Sequence, residues 1–158
     1  MKPLVLVVDD NKITTKLMRR YLESNGFLAE DAADGVECIE KVAIRMPDAI
    51  IIDVMMPRMD GFETTKALKG NPETAIIPIA IVTALNDSAT QKKAVDAGAD
   101  DFLTKPIEEN LLIAKARMLT SLALERRRSS RLRQIINGLL LDDGTDVATL
   151  LREEGFTT

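Results

Sequence analysis

"VLVVDDNK", residues 5–12, decides how the rest of the chain is read. Val5, Leu6, Val7 and Val8 form an unbroken apolar run. That is the pattern of a strand buried on both faces of a parallel sheet, not of a strand with one wet side. The run ends on two adjacent carboxylates, Asp9 and Asp10. Like charges this close repel, and a strand end beside a core solvates them poorly. Taken alone, the pair reads first as helix-capping residues, with a cation site as the alternative.

Runs of the same kind recur: "LVLVV" (4–8), "FLAEDA" (27–32), "AIIID" (49–53), "IPIAIVT" (77–83) and "DFLT" (101–104). The segments between them carry helical spacing. Ile13, Leu17, Tyr21 and Leu22 are expected on one buried face before Gly26, and Val36, Ile39 and Ala43 on another before Pro47. Phe62, Thr65 and Leu68 precede Gly70 and Pro72, and Ala94 and Val95 belong to a fourth helix that stops at Gly98. Five β-α repeats predict an α/β fold with a doubly wound, five-stranded parallel sheet.

Composition narrows the chemistry. The 158 residues suffice for one domain with a real core and some chain to spare. Histidine is absent, which excludes His-based metal sites, Ser-His and Cys-His nucleophile pairs and a phosphohistidine carrier. The single cysteine, Cys38, cannot form an internal disulfide; it reads as a packing residue and fits a reducing cytoplasm. The methionines read mostly as core filler. No apolar run reaches the length of a membrane span. A net charge of −4 gives no general attraction to nucleic acid.

In open α/β sheets, ligands bind beyond the carboxyl ends of the strands. The first strand ends in Asp9-Asp10, the third in Asp53, the fourth in Thr83, and the fifth runs into Lys105-Pro106. The second strand ends near Asp31 and Asp34, which read as surface residues. Three carboxylates, a hydroxyl and an ammonium therefore meet at one edge. Hard oxygen donors with room for water suit Mg²⁺. A carboxylate beside Mg²⁺, with a lysine and a hydroxyl to take phosphoryl oxygens, is equipment for phosphoryl transfer to an aspartate.

"VDDN" (8–11), "IIDVMMPRMDGFE" (51–63), "VTA" (82–84) and "ADDFLTKPI" (99–107) resemble the receiver domain of bacterial two-component response regulators. The resemblance spans residues 3 to about 120, and its motifs occur in order at family spacing. It implies a flavodoxin-like (βα)5 sheet of order 2-1-3-4-5. By the same resemblance, Asp53 is the phosphoacceptor, attacking the phosphohistidine of a sensor histidine kinase or phosphotransfer protein. Asp10, Asp53 and the Met55 backbone carbonyl would bind Mg²⁺ directly, and Asp9 through water. Lys105 would pair with the phosphoryl group, Thr83 would move its hydroxyl onto it, and Phe102 would rotate inward behind Thr83. Pro57 and Gly61 would shape the loop after the acceptor, with Asp60 capping the next helix. Pro106, in cis, would aim Lys105. Met55 and Leu85 occupy the positions that govern phosphoryl loss in this family. Neither orients water well, which implies slow self-dephosphorylation.

Residues 1–122 are thus expected to form the receiver and 123–158 a helical extension or linker, which either acts itself together with the receiver surface or leads on to an output domain of a longer regulator. Ile107, Leu111, Ala114 and Met118 begin an apolar seam that lapses at Ser121, Glu125 and Arg128 and resumes at Leu132, Ile135 and Leu139. The fifth helix should therefore run to about Leu141, with "RRRSSRLR" (126–133) as a solvated face, a dimer contact or, least favoured, a phosphate contact. "DDGTDVATLLREEG" (142–155) reads as a break at Gly144, an Asp146 cap and a short helix closed by Gly155. The expected function is a cytoplasmic switch without enzymatic turnover. It would signal through its fourth helix, fifth strand, fifth helix and extension, with homodimerisation on phosphorylation. An aspartate-nucleophile phosphohydrolase of the dehalogenase type needs a second acid where Met55 stands. A flavodoxin-like cofactor binder would need a phosphate loop where "DDNK" offers acids. A receiver acting without phosphorylation would have no need of the full set of site residues.

Overall fold

A computed structural model of the chain describes residues 1–84, 87–141, 152, 153 and 155. Its elements alternate: β1 (Leu4–Val8), α1 (Lys12–Ser24), β2 (Leu28–Ala32), α2 (Gly35–Ile44), β3 (Ala49–Asp53), α3 (Gly61–Gly70), β4 (Ile79–Thr83), α4 (Ser88–Ala97), β5 (Asp101–Thr104) and α5 (Glu109–Leu141). All strand pairings are parallel, in the order β2-β1-β3-β4-β5. The expected sheet is the one found.

Side chains alternate across each strand, so every central strand feeds two cores. Val5, Val7, Ile51 and Val82 point into one cluster with Met18 and Leu22 of α1 and Leu112, Ala116 and Leu119 of α5. Leu6, Val8, Ile50, Ile52 and Ile81 point the other way, onto Cys38 and Val42 of α2, Leu68 of α3 and Ala94 of α4. Burial on both faces is why β1, β3 and β4 read as continuous apolar runs.

Helix starts follow local chemistry. Asn11, Asp34, Asp60 and Asp87 are N-caps whose side chains accept backbone amides of α1 to α4. At the end of α4, Gly98 takes φ 92, a left-handed conformation that glycine adopts without steric penalty.

Two helix faces differ from expectation. In α1, Ile13 and Leu17 are 80% and 39% exposed, and the buried residues are Thr15, Met18 and Leu22. The helix carries two apolar stripes, and β1 and α5 cover only the one containing Met18. In α2 the inner residues are Cys38 and Val42, while Ala43 is exposed. Of the methionines, only Met18 lies in the core; Met46, Met55 and Met118 are exposed. Cys38 does pack as expected, and burial pushes its thiol up to about 12.

The chain divides into compact units Met1–Leu124 and Glu125–Thr158. In the first unit, Leu112, Ile113, Ala116, Leu119 and Ala123 form the buried side of α5, while Leu111 and Met118 of the apolar seam are exposed. In the second unit, Leu132 is half-buried and Ile135 buried. The expected break at Gly144 and cap at Asp146 lie outside the described residues, as does Leu85. No helix among the described residues is long and apolar enough to cross a membrane.

Candidate functional site

Register brings the strand ends together. Val8 pairs with Ile52, Asp53 with Val82, and Thr83 with Thr104. The residues just past β1, at the end of β3 and just past β5 therefore stand side by side. Asp9 and Asp53 are buried, at 2% and 6% exposure, and Asp10 is exposed. Carboxylate oxygens of these three acids lie within 4.8 Å of one another.

Backbone bonds fix the rim. The Asp9 amide donates to the Ala32 carbonyl at 3.1 Å, and the Lys105 amide to the Thr83 carbonyl at 2.9 Å. The Val54 amide donates to the Val82 carbonyl at 3.1 Å and lies 3.0 Å from Asp53 Oδ1. The Lys105–Pro106 bond is cis. Lys105 Nζ stands 3.3 Å from Asp53 Oδ1 and 3.7 Å from Asp9 Oδ2. Thr83 is buried at the same edge, and Phe102 is 36% exposed, turned outward.

One ammonium does not balance three carboxylates. Burial raises the Asp9 carboxyl above its ordinary range, the Asn11 amide opposing, and the Asp53 charge raises it further. Burial likewise raises Asp53, against the pull of Lys105. Asp9 Oδ1 accepts the Asn11 amide at 2.9 Å, whereas buried Asp9 Oδ2 receives no hydrogen bond. A buried anionic oxygen without a donor, facing two more carboxylates, is the donor set of a hard divalent cation. Mg²⁺ fits these residues.

The loop after Asp53 is held closely. The Gly61 amide donates to the Val54 carbonyl at 2.9 Å, and a Cβ on Gly61 would collide with the Asp53 carbonyl oxygen. The Met59 amide donates to the Pro57 carbonyl at 2.7 Å. Met55 is 78% exposed.

One expectation is overturned here. Asp34 does not lie on the surface; at 6% exposure it caps α2 and pairs with Arg58 at 2.6 Å. Asp31 keeps a half-open position beside Arg19 at 2.8 Å. A lone acid after a strand gives no sign that it will be buried. The Asp34-Gly35 pair before a helical stretch is a cap signature, but it does not name Arg58 as the partner.

A parallel 2-1-3-4-5 sheet with an acidic cluster and a lysine at its carboxyl edge defines a class of signalling domain. The chain belongs to the response regulator receiver domain family, whose model matches residues 5–117. It is 41% identical over 119 residues to the response regulator MprA of Mycobacterium tuberculosis, covering 75% of this chain and 51% of MprA. It is 37% identical over 144 residues to the response regulator PleD of Caulobacter vibrioides, covering 87% of this chain and 32% of PleD. The chemotaxis response regulator CheY4 of Vibrio cholerae superposes with a TM-score of 0.72 at 30% identity, covering 75% of this chain and 99% of that one. The chain thus spans about half the length of MprA and a third of PleD.

Proposed function

We propose that the chain is a phosphorylation-controlled signalling switch that takes its phosphoryl group on Asp53 from the phosphohistidine of a sensor histidine kinase or phosphotransfer protein. The observation that carries this reading is the convergence of Asp9, Asp10 and Asp53 oxygens within 4.8 Å, with Lys105 Nζ 3.3 Å from Asp53. Asp10, Asp53 and the Met55 carbonyl would hold Mg²⁺, with Asp9 acting through water. When bound, Mg²⁺ offsets the negative charge of the acceptor and of the transferring group. An Asp53 carboxylate oxygen attacks phosphorus; the O–P bond forms as the donor N–P bond breaks, and the electron pair leaves with the imidazole nitrogen. Lys105 pairs with the phosphoryl oxygens, and the Thr83 hydroxyl donates to one of them. Phe102 then turns inward from its exposed position.

Transfer to Asp53 modifies the chain once and is not turnover catalysis. Output through α4, β5 and α5 is supported by exposed Val95, Phe102, Leu111 and Met118, an apolar set suited to a partner or a second copy. Residues 1–122 serve as receiver and 123–158 as the extension that carries the signal on. A cytoplasmic setting suits the buried free thiol of Cys38. Borohydride trapping of the phosphorylated chain, followed by peptide sequencing, should place the modification at residue 53. A different residue would reject the assignment.

The phosphoryl group should persist. The Met55 thioether and the Leu85 side chain give an attacking water no strong hydrogen bond. A Met55→Asn, Leu85→Glu variant should lose phosphate several-fold faster than wild type in a chase with donor removed. An unchanged decay would reject this control of lifetime.

A further inference from the structure

Arg58 is out of place by its backbone. It has φ 66, the left-handed region, and is the non-glycine residue with positive φ among those described. Glycine or asparagine takes that conformation more readily. The arginine side chain, however, reaches across to α2. Its Nε and Nη2 lie 2.8 and 2.6 Å from Asp34 Oδ2. Asp34 Oδ1 meanwhile accepts the Glu37 amide at 2.9 Å. One carboxylate, its side chain 8% exposed, therefore ties the start of α2 to the middle of the loop after Asp53.

Packing leaves this corner little freedom. A Cβ on Gly35 would strike Thr64 Oγ1 and come within 2.9 Å of both the Met59 Cβ and the Met59 carbonyl oxygen. The loop is thus clamped at its ends by the Gly61–Val54 bond and at its middle by Arg58. Met55 lies between those two fixed points. An exposed ion pair contributes little, but removing Arg58 would leave a buried carboxylate uncompensated.

We propose that the Asp34–Arg58 ion pair is a positioning brace, holding the loop so that the Met55 carbonyl stands ready beside Asp10 and Asp53. The inference rests on the phosphoacceptor reading above, and makes Arg58 a determinant of cation affinity without touching the cation. An outer partner that orients a ligand typically changes metal affinity by about ten-fold or more when removed.

The test uses the full chain with Arg58→Gly, which removes the guanidinium and suits the backbone at φ 66, and with Arg58→Lys. Glycine relieves the backbone at φ 66 and so offsets part of the lost pair; the melting temperature of the glycine variant should fall by no more than a few degrees. Amide hydrogen exchange across residues 54–61, without Mg²⁺, should quicken. The Mg²⁺ Kd from calorimetry should weaken about ten-fold. Uptake from acetyl phosphate should slow at limiting Mg²⁺ and recover at saturation, and Arg58→Lys should restore part of each loss. Wild-type exchange and wild-type Kd in Arg58→Gly would overturn the brace while leaving Asp53 as acceptor. If wild type itself neither binds Mg²⁺ nor takes phosphate, the functional reading fails. Loop exchange then decides the brace alone: unchanged exchange overturns it, faster exchange upholds it as a loop clamp.

Discussion

Asp9 and Asp34 carry the same side chain just past neighbouring strands, yet they meet opposite fates. Burial raises Asp9, and its Oδ2 is left without a hydrogen bond. Asp34 is held below the usual carboxylate range, first by the Glu37 amide and then by Arg58, against desolvation. A depressed native value means that the folded protein favours the charged form. The Asp34 contribution is therefore complete above the unfolded value, near 4, and is lost as pH falls through the lower native value. Asp34→Ala should cost about 1–2 kcal/mol at pH 7, the range of a lost cap. In urea unfolding, its deficit against wild type should shrink as pH drops below about 4. A deficit constant with pH would mean that the charge of Asp34 contributes nothing. At this scale the sequence was readable wherever a polar residue interrupted a strand end. Asp9, Asp10, Asp53, Thr83 and Lys105 all declare themselves so. Arg58 does not, since nothing in "MPRMDG" discloses a positive φ or a partner more than twenty residues away.

Elements were legible in type and less so in orientation. Strands β1, β3 and β4 were read almost to the residue, because double-sided burial writes itself as an unbroken apolar run. Helix faces were harder. In α1 both Ile13/Leu17 and Met18/Leu22 satisfy helical spacing, and only the packing of β1 and α5 selects the second pair. The choice has measurable consequences. Met18→Ala should cost about 2–5 kcal/mol, as buried large-to-small changes do. Ile13→Ala should stay within about 0.5 kcal/mol, as an exposed change does. Equal costs in chemical denaturation would mean that α1 is rotated from the orientation described.

For the whole molecule, the repeat of strand and helix fixed the architecture, and the strand order then put the acids of β1 and β3 beside the lysine after β5. What lies past the receiver was less legible, because a seam broken by Ser121, Glu125 and Arg128 specifies no partner. The compact unit Met1–Leu124 holds both core clusters and every residue of the acidic site. A chain ended at Leu124 should therefore melt cooperatively within a few degrees of the full chain and take up phosphoryl groups at the same rate. Loss of either property would show that residues 125–158 complete the fold or the site. Self-association on phosphorylation, if carried by the extension, should disappear in the same truncated chain. If it persists, the interface lies on α4, β5 and α5.

The most direct measurement is native mass spectrometry of the full chain after incubation with Mg²⁺ and acetyl phosphate, beside Asp53→Asn and a chelator control. One phosphoryl group on wild type, and none on the variant or without Mg²⁺, is the expected result. Equal uptake by Asp53→Asn, or no uptake by wild type, would contradict the assignment of Asp53 as acceptor.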